Sequence, residues 1–172
     1  DPKLPEAYVF ETGRNEWRAL DAWPPLDAKP LELFLSARGR LSKNGPADAG
    51  EAFDEYVSDP AKPVPFIEET SIGMTAEYMV GDQRFASRRP DVLVYETEPL
   101  AEAVEVTGRP IVRLSISSSA VDTDFTAKLV DVHPPNEDYP DGYDMLLNDS
   151  IIRCRYRNGF ESEELMQPGV EY

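Results

Sequence analysis

Few side chains in this sequence have the types and spacing that catalysis requires. The chain has one histidine, His133, and one cysteine, Cys154. His133 stands in a His-Pro-Pro segment that supplies no acidic partner, and no Gly-x-Ser-x-Gly turn occurs, so a Ser-His-Asp triad is excluded. Gly-x-Gly-x-x-Gly, P-loop and Cys-x-x-Cys motifs are also absent from the sequence. We therefore expect no catalytic residue and no cofactor in this chain, and we expect His133 to be exposed and inert.

Three aspartates in one short stretch raise the question of a cation site. Asp122, Asp124 and Asp131 could supply the carboxylate oxygens that hard cations prefer, but their spacing is not that of an EF-hand. The alternative is that Asp122 and Asp124 cap a turn through their side chains. The second interpretation is favoured, so no metal site is predicted.

Three alternate arginines, Arg153, Arg155 and Arg157, could bind an anion. On a strand, alternate arginines more often face water or pair with neighbouring acids, and this chain is rich in acids. Ion pairing is the prediction.

The aromatic residues near the start of the chain, Tyr8, Phe10, Trp17 and Trp23, could form a platform for stacking against a sugar. In β domains such residues more often fill a core or a domain interface. Both interpretations stay open at this point.

Composition limits the class of partner. The net charge of −16 would repel phosphate backbones and anionic membrane surfaces, so a nucleic-acid partner is not expected. No run approaches the roughly 20 apolar residues that a membrane-spanning helix needs, so no membrane partner is expected either. The length of 172 residues suits one domain, and the start of the sequence suggests a piece of something longer.

The pattern along the chain predicts about eight to ten strands and almost no helix. Alternating or continuous apolar runs indicate strands at residues 92–97, 103–107, 111–118 and 125–132, the last covered on both faces. A short helix is predicted over residues 47–55. Residues 66–81 have no period, and an irregular loop of this length in a compact domain is often functional. An all-β sandwich or jelly roll follows.

Several motifs together resemble a known family. Four segments of this chain carry the similarity: Arg89-Pro-Asp-Val-Leu-Val-Tyr-Glu-Thr-Glu-Pro-Leu, Val104-Glu-Val-Thr-Gly, Asp122-Thr-Asp-Phe-Thr-Ala-Lys-Leu-Val-Asp-Val and Asp149-Ser-Ile-Ile-Arg-Cys-Arg-Tyr-Arg. They resemble segments of the C-terminal domain of X-Pro dipeptidyl-peptidase-type serine hydrolases, a group that includes the cocaine-esterase-like CocE/NonD hydrolases. Asp82-Gln-Arg-Phe most resembles α-amino acid ester hydrolases and glutaryl-acylase-like members. The family's usual Asp-Gly-Ile is replaced here by Asp149-Ser-Ile, a difference that we expect to affect only a turn.

The resemblance implies a galactose-binding-like jelly roll packed on an α/β-hydrolase domain that bears the catalytic Ser, Asp and His. Residues 1–30 would connect from that absent domain, and residues 31–172 would form the jelly roll. Family members continue beyond the position of Tyr172, so the expected jelly roll is incomplete at its C-terminal end. An incomplete sheet would leave unpaired edges.

The predicted function follows from this resemblance. We expect this chain to be the C-terminal jelly-roll domain of a serine hydrolase that cleaves acyl esters or amides, of the α-amino acyl ester, X-Pro peptide or acylase type, where it forms part of the active-site cleft wall and of the domain interface. Its partners would be a small acyl ester or amide substrate and the α/β-hydrolase domain of the same protein; a homo-oligomer is left open. The 66–81 loop would form part of the active-site cleft wall, with Ile72, Met74 and Tyr78 as apolar contacts. Core filling is the alternative for these three residues. The alternative function is a stand-alone carbohydrate- or ligand-binding β-sandwich without catalytic activity.

Overall fold

The computed structural model describes residues 3–45, 53–73 and 75–172. The chain divides into two compact units, one formed by Asp1–Phe53 with Tyr95–Ile111 and the other by Asp54–Val94 with Val112–Tyr172. Six strands form three two-stranded antiparallel sheets in the described ranges. Helical structure there is limited to single short turns, so the predicted all-β class is confirmed. The predicted division into residues 1–30 and 31–172 stays a prediction.

The first unit contains two short hairpins. Strand β1, Ala7–Glu11, pairs with β2, Glu16–Leu20, and strand β3, Phe34–Ser36, pairs with β4, Arg40–Ser42. The amide of Leu41 donates to the carbonyl of Glu96 at 2.7 Å, and the amide of Glu96 donates to the carbonyl of Gly39 at 2.8 Å. The predicted strand at residues 92–97 is therefore reduced to one parallel bridge beside β4.

The second unit is built on one long hairpin. Strand β5, Asp124–His133, pairs with β6, Tyr143–Arg153, from Asp124 opposite Arg153 to His133 opposite Tyr143. The register shifts between Leu129 and Val130. A 3-10 turn, Ala76–Val80, and the one-turn helix α1, Arg84–Ser87, lie before the hairpin in sequence, and a second 3-10 turn, Cys154–Tyr156, follows it.

Two strand predictions are wrong in this structure. Residues 103–107 and 111–118 are extended but join no ladder among the described residues, apart from reciprocal backbone hydrogen bonds between Ile116 and Tyr172 at 3.0 and 2.8 Å. Strand β5 was expected to be covered on both faces, yet Leu129 is 38% and Val132 51% exposed. Periodicity reports which residues favour extended backbone, whereas a ladder also needs a neighbouring strand.

The helix predicted over residues 47–55 lies mainly outside the described residues; residues 53–55 carry no helix. The buried residues of the described chain all belong to the second unit: Gln83, Ala86, Gly142, Leu146, Cys154 and Met166. Gln83, Ala86 and Leu146 lie where the segment around α1 meets the β5–β6 hairpin. The amides of Cys154 and Met166 bind the carbonyls of Thr123 and Val121, near the other end of the hairpin.

Candidate functional site

The 66–81 loop is closed at its base by two aromatic rings. The rings of Phe66 and Tyr78 meet edge to face, with centroids 5.7 Å apart. The side chain of Ile72, which lies between them in sequence, is fully exposed, at 105% of its reference area. Gly73 follows with φ of +92°, a backbone conformation that favours glycine. An apolar side chain is thus presented to solvent at the tip of the loop.

The three predicted contact residues have different surroundings. Ile72 is exposed, Tyr78 is half-buried, and Met74 lies outside the described residues. The structure therefore describes two of the three and does not bring Ile72 and Tyr78 into one apolar surface. Their role in a cleft stays a prediction.

Tyr78 joins the loop to the β5–β6 hairpin. Its hydroxyl donates to Oδ2 of Asp149 at 2.5 Å, across 71 residues of sequence. The ammonium group of Lys128 lies 5.2 Å from the centroid of the Tyr78 ring, within cation–π range. Burial, and then the hydrogen bond to Asp149, raise the pKa of Tyr78 to about 12. The hydroxyl therefore stays protonated, and able to donate, throughout the physiological pH range.

Lys128 connects this contact to the core. It is directly opposite Asp149 in the β5–β6 register, and its Nζ donates to Oε1 of Gln83 at 2.6 Å. Burial lowers the pKa of Lys128, while the nearby Asp149 carboxylate opposes that shift. Gln83 is 4% exposed, and its Nε2 donates to the carbonyl of Gly81 at 3.0 Å. Both polar ends of this buried amide are satisfied, as burial requires.

Sequence reasoning missed Asp149, Lys128 and Gln83 as supports of the loop. One signal was available, because Lys128 stands between the apolar residues Ala127 and Leu129 and is the one lysine or arginine of β5. A lysine in such a position requires polar partners nearby.

A shallow cavity of about 350 Å³ lies beside the foot of the loop; it is lined by Glu68, Asp82, Arg84, Phe85, Arg88 and Asp141. The guanidinium of Arg84 is already engaged, by Oδ2 of Asp82 at 2.7 Å and by the carbonyl of Asp141 at 2.7 Å. Burial acts to raise the pKa of Asp82, but hydrogen bonds from Arg84 and Asp144 outweigh it, so the pKa is lowered. The Arg84–Asp82 ion pair of this lining therefore has a structural role.

The arginine prediction is confirmed. Arg153 binds both carboxylate oxygens of Asp124, at 2.8 and 3.0 Å. The Nε of Arg155 lies 2.8 Å from Oδ2 of Asp122, an ion pair in which the N–H does not point at the oxygen. Arg157 lies 3.8 Å from a carboxylate oxygen of Glu164.

Asp122 and Asp124 bind these arginines, whereas Asp131 lies beside His133. The Asp122 side chain also accepts the backbone amide of Arg155 at 3.0 Å, so Asp122 caps the 3-10 turn Cys154–Tyr156, while Asp124 binds Arg153 at the end of β6. The described residues contain no group of His, Cys, Asp and Glu side chains that could hold a metal ion.

His133 is half-buried, not exposed as predicted. Its ring lies 5.3 Å from that of Tyr139, and its Nε2 is 3.4 Å from Oδ2 of Asp131 without a hydrogen bond. The contact with Tyr139 removes part of the ring from water. No nucleophile lies among these partners, so the histidine has no catalytic setting here.

Three aromatic residues of the first unit, Tyr8, Phe10 and Trp17, share one face of the β1–β2 hairpin. Tyr8 stacks on Trp17 with centroids 5.1 Å apart, and Phe10 meets Trp17 edge to face at 5.5 Å. The three residues are 63%, 59% and 45% exposed in the order Tyr8, Trp17, Phe10. Trp23 is 49% exposed.

Comparison with known proteins decides the family. Residues 3–172 match the family model described as the X-Pro dipeptidyl-peptidase C-terminal non-catalytic domain. The chain belongs to this family. The predicted resemblance is confirmed, and the lack of catalytic residues in the sequence agrees with the family's description.

Relatives extend the comparison. The chain is 40% identical over 176 residues to a cocaine esterase of Rhodococcus sp., with 98% of this chain and 30% of that protein covered. It is 30% identical over 132 residues to a putative serine esterase of Mycobacterium tuberculosis, with 76% of this chain and 20% of that protein covered. The chain thus spans about a third or less of the length of these relatives.

Two solved structures share the fold. One is an aminopeptidase from a marine sediment Thaumarchaeota archaeon, with a TM-score of 0.89, 40% identity, and coverage of 98% of this chain and 29% of that one. The other is an α-amino acid ester hydrolase, with a TM-score of 0.89, 38% identity and the same coverages. This chain therefore shares its all-β fold with a domain of each of these two hydrolases. In the described ranges, no helix of this chain is long and apolar enough to cross a membrane.

Proposed function

We propose that this chain is the C-terminal domain of a serine hydrolase that cleaves acyl esters or amides, and that its 66–81 loop forms part of the active-site cleft wall. Ile72, Met74 and Tyr78 would line that wall. The catalytic serine would belong to an α/β-hydrolase domain of the same protein, and its acylation and deacylation would carry the chemistry. The relatives named as esterases, an aminopeptidase and an ester hydrolase support this class of reaction.

One observation carries the cleft proposal, which is the full exposure of Ile72 on a loop whose base is fixed. An isolated exposed apolar side chain is common on protein surfaces. Here, however, the side chain belongs to a loop in which Phe66 contacts Tyr78 and the Tyr78 hydroxyl binds Asp149 of the hairpin. An exposed apolar group on such a loop suits a substrate-binding wall.

The test compares two isoleucine substitutions in the full-length protein. Ile72→Ala should raise KM for esters with a bulky acyl group and leave kcat unchanged, because a contact made equally in the ground and transition states is lost. Partial burial of the Ile72 side chain by substrate would be worth about 1 kcal/mol, or roughly five-fold in KM.

Ile151→Ala is the matched control, since Ile151 is 65% exposed on β6 and lies outside the loop. Its kinetics should match those of the parent protein. If Ile72→Ala leaves KM unchanged for every acyl ester in a series of increasing acyl size, the cleft proposal is wrong.

The exposed aromatic face of β1–β2 is the observation that favours the alternative, a carbohydrate-binding β-sandwich. Parallel aromatic rings open to solvent suit stacking on a sugar. Titration of the full-length protein with oligosaccharides, followed by tryptophan fluorescence, would show binding that Trp17→Ala abolishes. A flat titration curve removes this candidate.

A further inference from the structure

We propose that Asn44 is a site of spontaneous deamidation, which converts its side-chain amide to an aspartyl or isoaspartyl group, and that Asn158 is held against the same reaction. The sequence contains two Asn-Gly pairs, Asn44-Gly45 and Asn158-Gly159. All four residues are exposed, so water reaches both pairs, and their hydrogen bonds are what distinguishes them. The proposal does not depend on the hydrolase function.

The reaction needs freedom at both residues of an Asn-Gly pair. The backbone nitrogen of the glycine forms a bond to the side-chain carbon Cγ of the asparagine, the Cγ–Nδ2 bond breaks, and the nitrogen leaves as ammonia with the amide proton. A cyclic imide remains, and water opens it at either carbonyl to give aspartate or isoaspartate without any oxidant or reductant. Glycine permits this attack most readily, because no Cβ limits the rotation of its backbone. Asparagine is a thermolabile residue in proteins.

Asn158 is restrained on both sides of this reaction. Its Nδ2 donates to Oε2 of Glu164 at 2.7 Å, and the amide of Gly159, which would be the attacking nitrogen, donates to the carbonyl of Tyr156 at 3.1 Å. Glu164 is itself held, since its backbone carbonyl accepts a hydrogen bond from the guanidinium of Arg157. Reaction at Asn158 must therefore wait until the turn opens and both hydrogen bonds of the pair are lost.

Asn44 has neither restraint. Among the described residues, neither the Asn44 side chain nor the Gly45 amide makes a hydrogen bond; the bond at this pair is that of the Asn44 backbone amide, which donates to Oγ of Ser42 at 3.1 Å. That bond involves none of the reacting atoms. A Cβ on Gly45 would lie 3.9 Å from the Phe34 ring, an ordinary van der Waals contact, so alanine fits at this position and provides a control.

Deamidation of Asn44 would change both the charge and the backbone at the end of a hairpin. It adds a negative charge to a chain whose net charge is already −16. The isoaspartyl product also routes the backbone through the side-chain carbon, directly after β4, where Ser42 pairs with Phe34. Because ammonia is lost, the change accumulates with the age of the protein.

The test follows both Asn-Gly pairs in one sample of the full-length protein. The protein is incubated at mildly alkaline pH in water labelled with heavy oxygen, then digested and mapped by mass spectrometry, with isoaspartate measured separately. Asn44 should react faster than Asn158 by about ten-fold or more, because two hydrogen bonds, one of them to a carboxylate, must open before Asn158 reacts. Equal rates, or faster reaction of Asn158, would overturn the proposal.

Three variants test the cause of this difference. Glu164→Ala, at an exposed position, removes the acceptor of the Asn158 amide and should accelerate reaction at Asn158 by about three- to ten-fold, with Asn44 unchanged. Glu164→Gln keeps a carbonyl acceptor and should stay near the parent rate. Gly45→Ala should suppress reaction at Asn44 alone, because a Cβ restricts the attacking backbone. An unchanged Asn158 rate in Glu164→Ala would show that the hydrogen bond to Glu164 protects nothing.

Denatured protein separates the folded structure from the local sequence. In concentrated urea neither turn is held, so the difference between the two pairs should largely disappear. A difference of the same size in urea would mean that the flanking residues decide the rates, and the assignment to the hydrogen bonds would be wrong.

Discussion

Replacing Gln83 by leucine should loosen the junction between α1 and the β5–β6 hairpin. Gln83 is 4% exposed, accepts a hydrogen bond from Lys128 Nζ at 2.6 Å and donates one to the Gly81 carbonyl at 3.0 Å. Leucine is similar in size but makes neither bond, so an ammonium and a carbonyl lose their partner. Removing one partner of a buried charged hydrogen bond costs about 1.5–3 kcal/mol.

The expected loss is about 2 kcal/mol, toward the lower end of that range, because half-buried Lys128 can regain some water. Amide hydrogen exchange measures this locally, through the Leu146 amide bound to Gly81 and the Gln83 amide bound to the Asp144 carbonyl. A change of 2 kcal/mol corresponds to a decrease of roughly thirty-fold in their protection factors. Exchange is preferable to global unfolding here because a larger protein need not unfold in two states.

Two further variants make the reasoning refutable. Gln83→Leu combined with Lys128→Met removes both partners, so at least half of the lost protection should return. Gln167→Leu is the matched control at an exposed position and should leave these amides unchanged. Unchanged protection in Gln83→Leu, or no recovery in the double variant, would show that the Lys128–Gln83 bond contributes nothing to the junction.

Two other predictions concern a glycine and an ion pair. Gly142→Ala should destabilise the domain by about 1–2 kcal/mol, because φ is +77° and a Cβ would lie 3.1 Å from the His133 carbonyl oxygen. Gly169→Ala, at φ +75° in open space, should lower the urea midpoint less; equal losses would refute the steric argument. Hydrogen bonds from Arg153 hold the pKa of Asp124 below its usual value, so this pair stabilises the fold above about pH 4 and the contribution disappears as pH falls through the folded pKa. Asp124→Asn should therefore lower Tm by about 1–3 °C at pH 6 and by progressively less as pH falls below about 4, and a deficit that does not shrink at low pH would contradict the assignment.

The fold class could be predicted because local sequence encodes it. A continuous apolar run predicted a strand where β5 occurs, and alternate arginines in an acid-rich chain predicted ion pairs. The strands predicted at residues 103–107 and 111–118 did not form ladders in this structure, because propensity describes one segment and a ladder requires two.

The surroundings of the candidate site could not be predicted from local sequence. The aperiodic composition of the 66–81 loop drew attention to it, and a contact role for Ile72 stays a prediction. Nothing local in the sequence indicated that the hydroxyl of Tyr78 binds Asp149, because the two residues are 71 positions apart. Such a pairing depends on which strand lies beside the loop and in which register.

The sequence by itself determined the family, the β character and the absence of a catalytic triad from this chain, since each depends on residue types and short spacings. Only the tertiary structure decided what Tyr78, Lys128 and Gln83 do. Their order along the chain gives no sign of a connected cluster. In the folded chain the Tyr78 hydroxyl lies within hydrogen-bond distance of Asp149, and the Lys128 ammonium lies within hydrogen-bond distance of Gln83. Hydrogen bonds depend on such distances, which only the tertiary structure sets.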